Sequence, residues 1–273
     1  MLTTRKALLL SVPALAVLAA FFLAPLATTF IGSLREGGTW SIGRYVAVLS
    51  QRSFRVALIR SLKLGALVTA IAALVSYPAA YAISKLDRTK RTLLMSLIIL
   101  PLMTNPVART YAWFVVMGRH GIINQALLSL ELIDRPVKIL YTEGAIAVGL
   151  LQLFLPLMLL SLVSALENVP GELEEAARSL GANGLRAFRR VLLPLSADGL
   201  VIGGTLVFTG SITAYVTPAI LGGTRVLMLS TLLYQRAMTL MDWEGATVVA
   251  VVMLFLAVGL NALLRRLRPR EAA

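Results

Sequence analysis

The sequence predicts an all-α protein that crosses a membrane about six times, and three observations support this fold class. Of the 273 residues, 58% are apolar and 14% are charged, whereas soluble globular domains average about 45–50% and about 25%. The apolar residues form runs of about 20 residues, the length that an α-helix needs to cross a bilayer. Prolines fall inside several runs, which membrane helices tolerate because neighbouring helices satisfy the freed backbone carbonyls.

Six runs are long enough to be membrane spans. In chain order we predict spans over Ala7–Ile31, Leu62–Ser84, Leu93–Met117, Ala145–Leu166, Ser196–Leu221 and Ala246–Leu264. The first run follows two basic residues, as a signal peptide would, but it exceeds the 7–15 or so apolar residues of such a peptide, and further spans follow. We therefore predict one membrane domain over residues 1–273, with an outer loop at about 33–61 and a cytoplasmic loop at about 167–194.

The orientation follows from the Lys and Arg residues, which are concentrated in cytoplasmic loops of membrane proteins. Placing the N-terminus inside brings the basic clusters at 5–6, 85–91, 178–190 and 265–270 to the cytoplasmic side. Arg60 and Lys63 argue against this orientation, because they lie near the outer end of the second span. The tight 85–91 cluster and the basic tail outweigh them. We therefore expect a multi-pass protein of a bacterial inner membrane, with both termini in the cytoplasm.

The net charge of +13 does not indicate nucleic-acid binding. The basic residues are spread over loops that flank the spans, where insertion and anionic lipid headgroups account for them. No stripe of basic residues interleaved with aromatic residues lies outside the spans. We expect membrane lipid as a partner and no nucleic acid.

The loop at 167–194 predicts two short helices with a break between them. Pro170 suits the first turn of a helix, and three glutamates follow it at the positive end of the helix dipole. Gly181 can end this helix in the left-handed conformation, and a second helix begins near Asn183. The first helix is predicted to have one apolar face formed by Leu173, Ala176, Ala177 and Leu180, and the second to bury Leu185 and Phe188. Anionic headgroups would repel the glutamates, so a cytoplasmic protein partner fits the loop better than lipid.

The same loop carries a family resemblance. Glu175-Ala176-Ala177, then Gly181, then Val191, Leu193 and Pro194 resemble the EAA signature of ABC importer permeases, which is EAA, three residues, G, nine residues, an aliphatic residue, any residue, L-P. The segments 76–81, 102–113 and 121–124 look like the first permease subunit of spermidine/putrescine-type systems. The resemblance extends over nearly the whole chain and implies the type I ABC importer permease fold.

The resemblance implies a division of labour between subunits. Such permeases pair in the membrane, two cytoplasmic ATPase subunits bind ATP and Mg²⁺ and dock on the EAA loops, and a periplasmic binding protein delivers substrate. This chain would then hold no cofactor. The resemblance to one subunit of a two-permease pair favours a heterodimer. By carry-over, the residues that couple to the ATPase are Glu175, Ala176, Ala177, Arg178, Gly181, Leu193 and Pro194.

The sequence favours a non-catalytic subunit. It has no GxxxxGK[ST] phosphate loop, no HExxH motif and no Cys, and His120 is its one histidine. An intramembrane enzyme would need a nucleophile with a base, or paired carboxylates, inside the spans. A secondary transporter, the other alternative, would show inverted repeats and ionisable residues at the midplane. Neither pattern is visible, and neither explains the EAA loop.

The substrate path is less well defined by sequence. Polar residues inside spans tend to face a cavity or the bundle interior, and the candidates are Arg109, Asn105, Tyr111, Trp113 and Tyr215. Arg109 either gates the path or anchors the helix at the outer headgroups, and Tyr111 and Trp113 equally suit an interfacial aromatic belt. The resemblance implies a polyamine, moved by alternating access. No carboxylate lies deep in a predicted span, however, so a small organic anion or a phosphonate is the alternative.

Overall fold

The computed structural model describes residues 12–36 and 39–266, and helices dominate this part of the chain. The elements are α1 (Val12–Ser33), β1 (Arg35–Glu36), β2 (Thr39–Trp40), α2 (Gly43–Ser50), α3 (Arg52–Ser84), α4 (Arg88–Met103), α5 (Pro106–Val116), α6 (Ile122–Ser129), α7 (Glu143–Glu167), α8 (Gly171–Ser179), α9 (Gly184–Leu195), α10 (Ala197–Thr213), α11 (Val216–Gly222), α12 (Leu229–Tyr234) and α13 (Trp243–Arg266). The two strands form one short antiparallel pair. The predicted all-α class is confirmed.

Within the described ranges, four helices are long and apolar enough to cross a membrane on their own: Val12–Ser33, Arg52–Ser84, Glu143–Glu167 and Trp243–Leu263. They contain most of the predicted first, second, fourth and sixth spans, although residues 7–11 lie outside the described part. The second helix begins at Arg52, ten residues before the predicted start at Leu62. Its added turns carry the buried Ala57 and Ser61 on one face, so they are amphipathic and lack the continuous apolar run that marks a span.

The predicted third span, Leu93–Met117, is not one straight helix. The chain bends by 90° between Arg88–Met103 and Pro106–Val116. Pro101 lies in a 3₁₀ turn over Leu100–Met103, and Pro106 is the first residue of α5. A proline restricts the residue before it to extended conformations, which ends the preceding helix. The two helices count as one span only if this pair crosses the membrane as a broken helix.

The predicted fifth span, Ser196–Leu221, is also divided. α10 ends at Thr213, and α11 begins at Val216 after an extended residue, Ala214. At the other end, α9 meets α10 at an angle of 67°. Hydropathy registers only the apolar content of this run, so it cannot show where the helix axis changes direction.

The described residues divide into two compact units. The first contains the described residues up to Arg55 together with Leu232–Phe255. Inside it, Arg44 pairs with Glu244 at 2.6 Å, and the buried Arg236 donates to Asp242 at 2.7 Å. The rings of Phe30 and Phe255 pack edge to face. Ion pairs and aromatic contacts thus hold this unit together.

The second unit contains Val56–Thr231 and the described residues from Leu256 onwards, and it holds the main core. The buried residues Leu64, Val68 and Ala72 of α3 recur at helical spacing. α10 packs so closely against α7 that a Cβ on Gly199 would lie 2.6 Å from the Cβ of Ala165. Small residues let membrane helices approach in this way. The loop between α7 and α10 therefore starts and ends on two tightly packed helices.

Candidate functional site

The loop between α7 and α10 folds as the predicted pair of short helices, α8 and α9. Gly181 adopts φ +84°, and its N–H and that of Ala182 bond back to carbonyls of α8, which closes the helix. The side chain of Asn183 then accepts a hydrogen bond from the N–H of Arg186 and caps α9. The predicted helix break at Gly181 and the start of the second helix near Asn183 are both confirmed.

Glu174 is the buried residue of α8, and it is held by three donors. Tyr81 Oη donates to Oε1 at 2.7 Å, Lys85 Nζ to Oε2 at 2.8 Å and Arg178 Nη2 to Oε1 at 2.9 Å. Tyr81 and Lys85 belong to the end of α3 and the residue after it, so this cluster ties α8 to a membrane helix. We call Tyr81, Lys85, Glu174 and Arg178 the Glu174 cluster.

The Glu174 cluster fixes the charge of its members. Burial alone would raise the pKa of Glu174, but the hydrogen bonds from Lys85, Tyr81 and Arg178 outweigh it and lower that pKa to about 2. The hydrogen bond to Glu174 raises the pKa of Lys85 above its usual 10.5. Both groups are therefore charged at neutral pH, and the cluster is an ion pair with a tyrosine donor.

A second ion pair lies at the start of the loop. Arg91 Nε on α4 lies 3.1 Å from Oε1 of Glu167, the last residue of α7. The first part of the loop is thus bound to α3 through Glu174 and to α4 through Glu167. These polar contacts connect α8 and the end of α7 directly to neighbouring membrane helices.

The apolar face predicted for α8 points outward. Leu180 is 89% exposed, Leu173 is 43% exposed and Ala176 is also exposed, whereas Ala177 is half-buried. Leu185 of α9 is exposed as well, and only Phe188 packs against the core as predicted. The side of α8 that faces α3 is the Glu174 side, because Tyr81 and Lys85 satisfy its carboxylate there. We call the exposed Leu173, Ala176 and Leu180 the apolar face of α8.

The remaining loop residues of the predicted set differ in their surroundings. Glu175 is exposed beside the apolar face of α8 and does not belong to the Glu174 cluster. Arg178 donates to Glu174, so its charge is used inside the chain. Leu193 packs against the core, and Pro194 is exposed. Sequence reasoning missed Glu174, although its i, i+4 spacing to Arg178 was a signal.

The path candidates on and before α5 have different surroundings. Asn105 caps α5 by accepting the N–H of Val107, which gives it a structural role. Arg109 is half-buried, and within the described chain neither its Nε nor its Nη1 has a hydrogen-bond partner. Trp113 packs against the core, whereas Tyr111 is 54% exposed. Arg109 is thus the path candidate whose buried nitrogen atoms lack a hydrogen-bond partner among the described residues.

Tyr215 lies in the short connection before α11, which packs against α5. Buried Thr110 and Thr217, the neighbours of Arg109 and Val216, are hydrogen-bonded at 3.2 Å. The structure therefore brings the Arg109 helix and the Tyr215 connection side by side, although the two lie about a hundred residues apart in sequence.

Arg60 and Lys63, which oppose the predicted orientation, share the carboxylate of Glu143. Each places a nitrogen 3.0 Å from a carboxylate oxygen of Glu143, at the start of α7. Arg60 also donates to the backbone carbonyl of Leu227. At the same end, buried Asn124 bonds the backbone of Gly118 and Val137 and organises the segment after α5. These charges and amides hold helices together within the second unit.

Residues 67–272 match the family described as binding-protein-dependent transport system inner membrane component. This range includes the Glu174 cluster, the apolar face of α8 and all the path candidates.

The chain is similar to curated proteins and to solved structures. The spermidine/putrescine transport system permease protein PotB of Haemophilus influenzae is 36% identical over 213 residues, which cover 76% of this chain and 74% of that protein. The putative 2-aminoethylphosphonate transport system permease protein PhnU of Salmonella paratyphi A is 28% identical over 277 residues, 97% of this chain and 92% of that one. A crystal structure of a bacterial alginate ABC transporter in complex with an alginate pentasaccharide-bound periplasmic protein has a TM-score of 0.80 at 16% identity, covering 97% and 95% of the two chains.

Proposed function

The chain belongs to the family of binding-protein-dependent transport system inner membrane components, and we propose that it is the permease whose helix α8 docks on a separate ATPase. The observation that carries the proposal is the apolar face of α8. Leu180, directly after α8, is 89% exposed, and the Glu174 cluster holds this helix in place. An exposed apolar stripe on a rigid helix is typical of a protein–protein contact.

Docking on α8 gives each loop residue a task. Leu173, Ala176 and Leu180 enter a cleft of the ATPase, and exposed Glu175 meets basic or polar groups at its rim. Gly181 fixes the angle between α8 and α9. ATP and Mg²⁺ bind to the ATPase, whose closure moves α8. The Glu174 cluster and the Arg91–Glu167 pair pass that movement to α3, α4 and α7, and the bundle alternates between outward and inward access.

The orientation proposed for this arrangement has both termini and α8 in the cytoplasm. Arg60 and Lys63 still count against this orientation although both contact Glu143, because the positive-inside rule counts Lys and Arg residues and not net charge. The larger basic clusters of the chain outweigh them. The basic residues at 85–91 and 178–190 then lie on the cytoplasmic side, as the positive-inside rule requires.

The assembly proposed for this chain contains a second, different permease, two ATPase subunits and a periplasmic binding protein. The family description names binding-protein dependence, and the PotB likeness supports a two-permease system. The unpartnered Arg109 also supports a different second subunit. In this chain's described spans the carboxylates lie at helix ends, so a second copy offers no deep counterion for Arg109.

The proposed substrate is a polyamine, on the likeness to PotB. One observation favours a second candidate, a phosphonate or another small anion: among the described residues, Nε and Nη1 of Arg109 are buried without partners, and a guanidinium suits an anion better than a cation. The likeness to PhnU covers 97% of the chain. The two candidates predict opposite charge preferences, so uptake competition separates them.

The docking proposal is tested by placing a charge on the apolar face of α8. Leu180→Asp should abolish co-purification of the ATPase, because it buries a carboxylate in an apolar contact. Leu132→Asp, at an exposed position in the α6–α7 connection, is the matched control and should leave co-purification unchanged. Normal ATPase recovery with Leu180→Asp would refute docking at this face.

The substrate proposal is tested by uptake in cells that depend on this transporter. Labelled spermidine should enter and be displaced by unlabelled putrescine, and Arg109→Gln should leave assembly intact while changing the transport rate. If 2-aminoethylphosphonate is taken up instead, and Arg109→Gln abolishes its uptake, the anion candidate replaces the polyamine. Loss of the assembled complex in Arg109→Gln would assign Arg109 a structural role.

A further inference from the structure

Helix α9 has the composition and placement of an interfacial helix. Over Gly184–Leu195 it combines three arginines with six large aliphatic or aromatic residues. Its axis is turned by 67° from that of α10, so the two helices do not form one straight span. Short helices with arginines on one side and Leu or Phe on the other lie in the headgroup region of a bilayer.

A basic cavity opens on the polar side of α9. It has a volume of about 490 Å³ and is lined by Asn183, Leu185, Arg186, Arg189 and Arg190. No carboxylate lines it, and the three arginines are exposed. Three guanidinium groups in one concave site favour binding of an anion with several oxygen acceptors.

An apolar groove of about 570 Å³ adjoins the other side of α9. It runs along α3 and is lined by apolar and aromatic side chains, among them Leu74, Pro78, Phe188 and Leu193. Arg189 of the basic cavity is four residues before Leu193 of the groove, about one helical turn away. The cationic site and the groove are therefore neighbouring parts of one surface.

We propose that an anionic phospholipid of the cytoplasmic leaflet binds at α9, with its phosphate at the three arginines and an acyl chain in the apolar groove. The occupant must be amphiphilic, because its charged and apolar parts have to lie one helical turn apart. An acidic protein surface would satisfy the arginines but leave the groove empty, and a helix of another subunit would fill the groove without reaching the arginines. The proposal rests on the proposed cytoplasmic side of the loop, but not on ATPase docking.

The two helices of the loop differ in charge. The acidic helix α8 carries Glu172, Glu174 and Glu175, and the headgroups that repel it attract the basic α9. Gly181 at φ +84° is the boundary between the two helices. The bound lipid would then set the position of α9, and through Gly181 that of α8.

The test uses the assembled transporter, reconstituted in vesicles of equal parts phosphatidylglycerol and phosphatidylcholine and then released in mild detergent. Native mass spectrometry counts phosphatidylglycerol per complex and the ATPase content of the same sample. Each basic residue near an anionic surface contributes about fivefold in affinity, so Arg189→Gln with Arg190→Gln should weaken retention about 30-fold. Arg88→Gln with Lys90→Gln, two exposed cytoplasmic-side residues of α4, removes the same charge and should retain the lipid.

A second variant tests the groove. Ala70 is exposed in the groove, so Ala70→Trp fills it without disturbing the core and should release phosphatidylglycerol while the ATPase stays bound. Full lipid retention in either the arginine pair or Ala70→Trp overturns the proposal. Equal lipid loss in the α4 control overturns it too, because the effect would then be one of general charge. ATPase loss with lipid retained in the arginine pair would assign the arginines to the protein partner.

Discussion

Glu174 is the residue on which the placement of α8 depends most. Its carboxylate is 7% exposed and accepts hydrogen bonds from three side chains, two of which lie 93 and 89 residues earlier. The neighbouring Glu175, which the EAA signature singles out, is exposed. Two adjacent glutamates thus differ: Glu174 holds the helix, and exposed Glu175 is the one proposed to face the partner.

Replacing Glu174 should loosen α8 without unfolding the membrane bundle. In Glu174→Gln the charged hydrogen bonds to Lys85 and Arg178 are lost, which costs about 1–3 kcal/mol, the low end applying because Lys85 and Arg178 are half-exposed. Hydrogen exchange of the α8 amides should accelerate roughly tenfold. Glu172→Gln, on the exposed side of the same helix, is the control. Unchanged α8 exchange in Glu174→Gln would show that the cluster does not hold the helix.

The Glu174 cluster also predicts a pH dependence. The pKa of Glu174 is about 2 in the folded protein against a usual 4.5, so its contribution is fully present above pH 4.5 and is lost as the pH falls towards 2. The raised pKa of Lys85 adds a contribution that is present below about pH 10.5 and lost above it. After correction for intrinsic rates, α8 exchange should be flat from pH 5 to 9 or so and rise below about 4.5. A rise near pH 6 would contradict this assignment.

At the scale of elements, Gly181 decides how α8 meets α9. A Cβ at this position would meet nothing within 4 Å, so the cost of a side chain is the backbone strain of φ +84° alone. That strain is about 1–2 kcal/mol for an L-residue. The glycine therefore sets an angle and fills no packing role.

Gly181→Ala should change the angle between α8 and α9 and reduce ATP hydrolysis stimulated by the binding protein, with the complex still assembled. Gly184→Ala is a close control, because a Cβ there also meets nothing within 4 Å and its φ lies outside the positive range. Equal activity of both variants with the natural protein would remove the proposed hinge from the coupling account.

The sequence predicts some of these elements but not the angles between them. The lengths of apolar runs predict α1, α3, α7 and α13, and glycine and asparagine chemistry predicts the break from Gly181 to Asn183. Hydropathy does not predict the bends before Pro106 and between Leu195 and Ala197, because it records composition and not axis direction. The sequence also does not predict which side of α8 faces outward, because that depends on where Tyr81 and Lys85 hold Glu174.

At the scale of the whole molecule, some charged residues form ion pairs between helices and others do not. Arg60 and Lys63 in the second unit contact Glu143, and Lys85 and Arg91 near the loop contact Glu174 and Glu167. Arg109, in contrast, has no partner for its buried Nε and Nη1 in the described chain. The paired charges stabilise the fold, and we propose that Arg109 faces a second subunit or a substrate.

The central claim, that α8 docks on an ATPase in the cytoplasm, is tested most directly by the sidedness and burial of residue 180. The sequence has no cysteine, so a single introduced cysteine can be labelled selectively. Leu180→Cys should react with a membrane-impermeant maleimide only from the cytoplasmic side, and bound ATPase should protect it. Leu132→Cys should react only from the outside and with the same rate whether or not the ATPase is present. Labelling of residue 180 from the outside, or equal labelling from the cytoplasm with and without ATPase, would contradict the account.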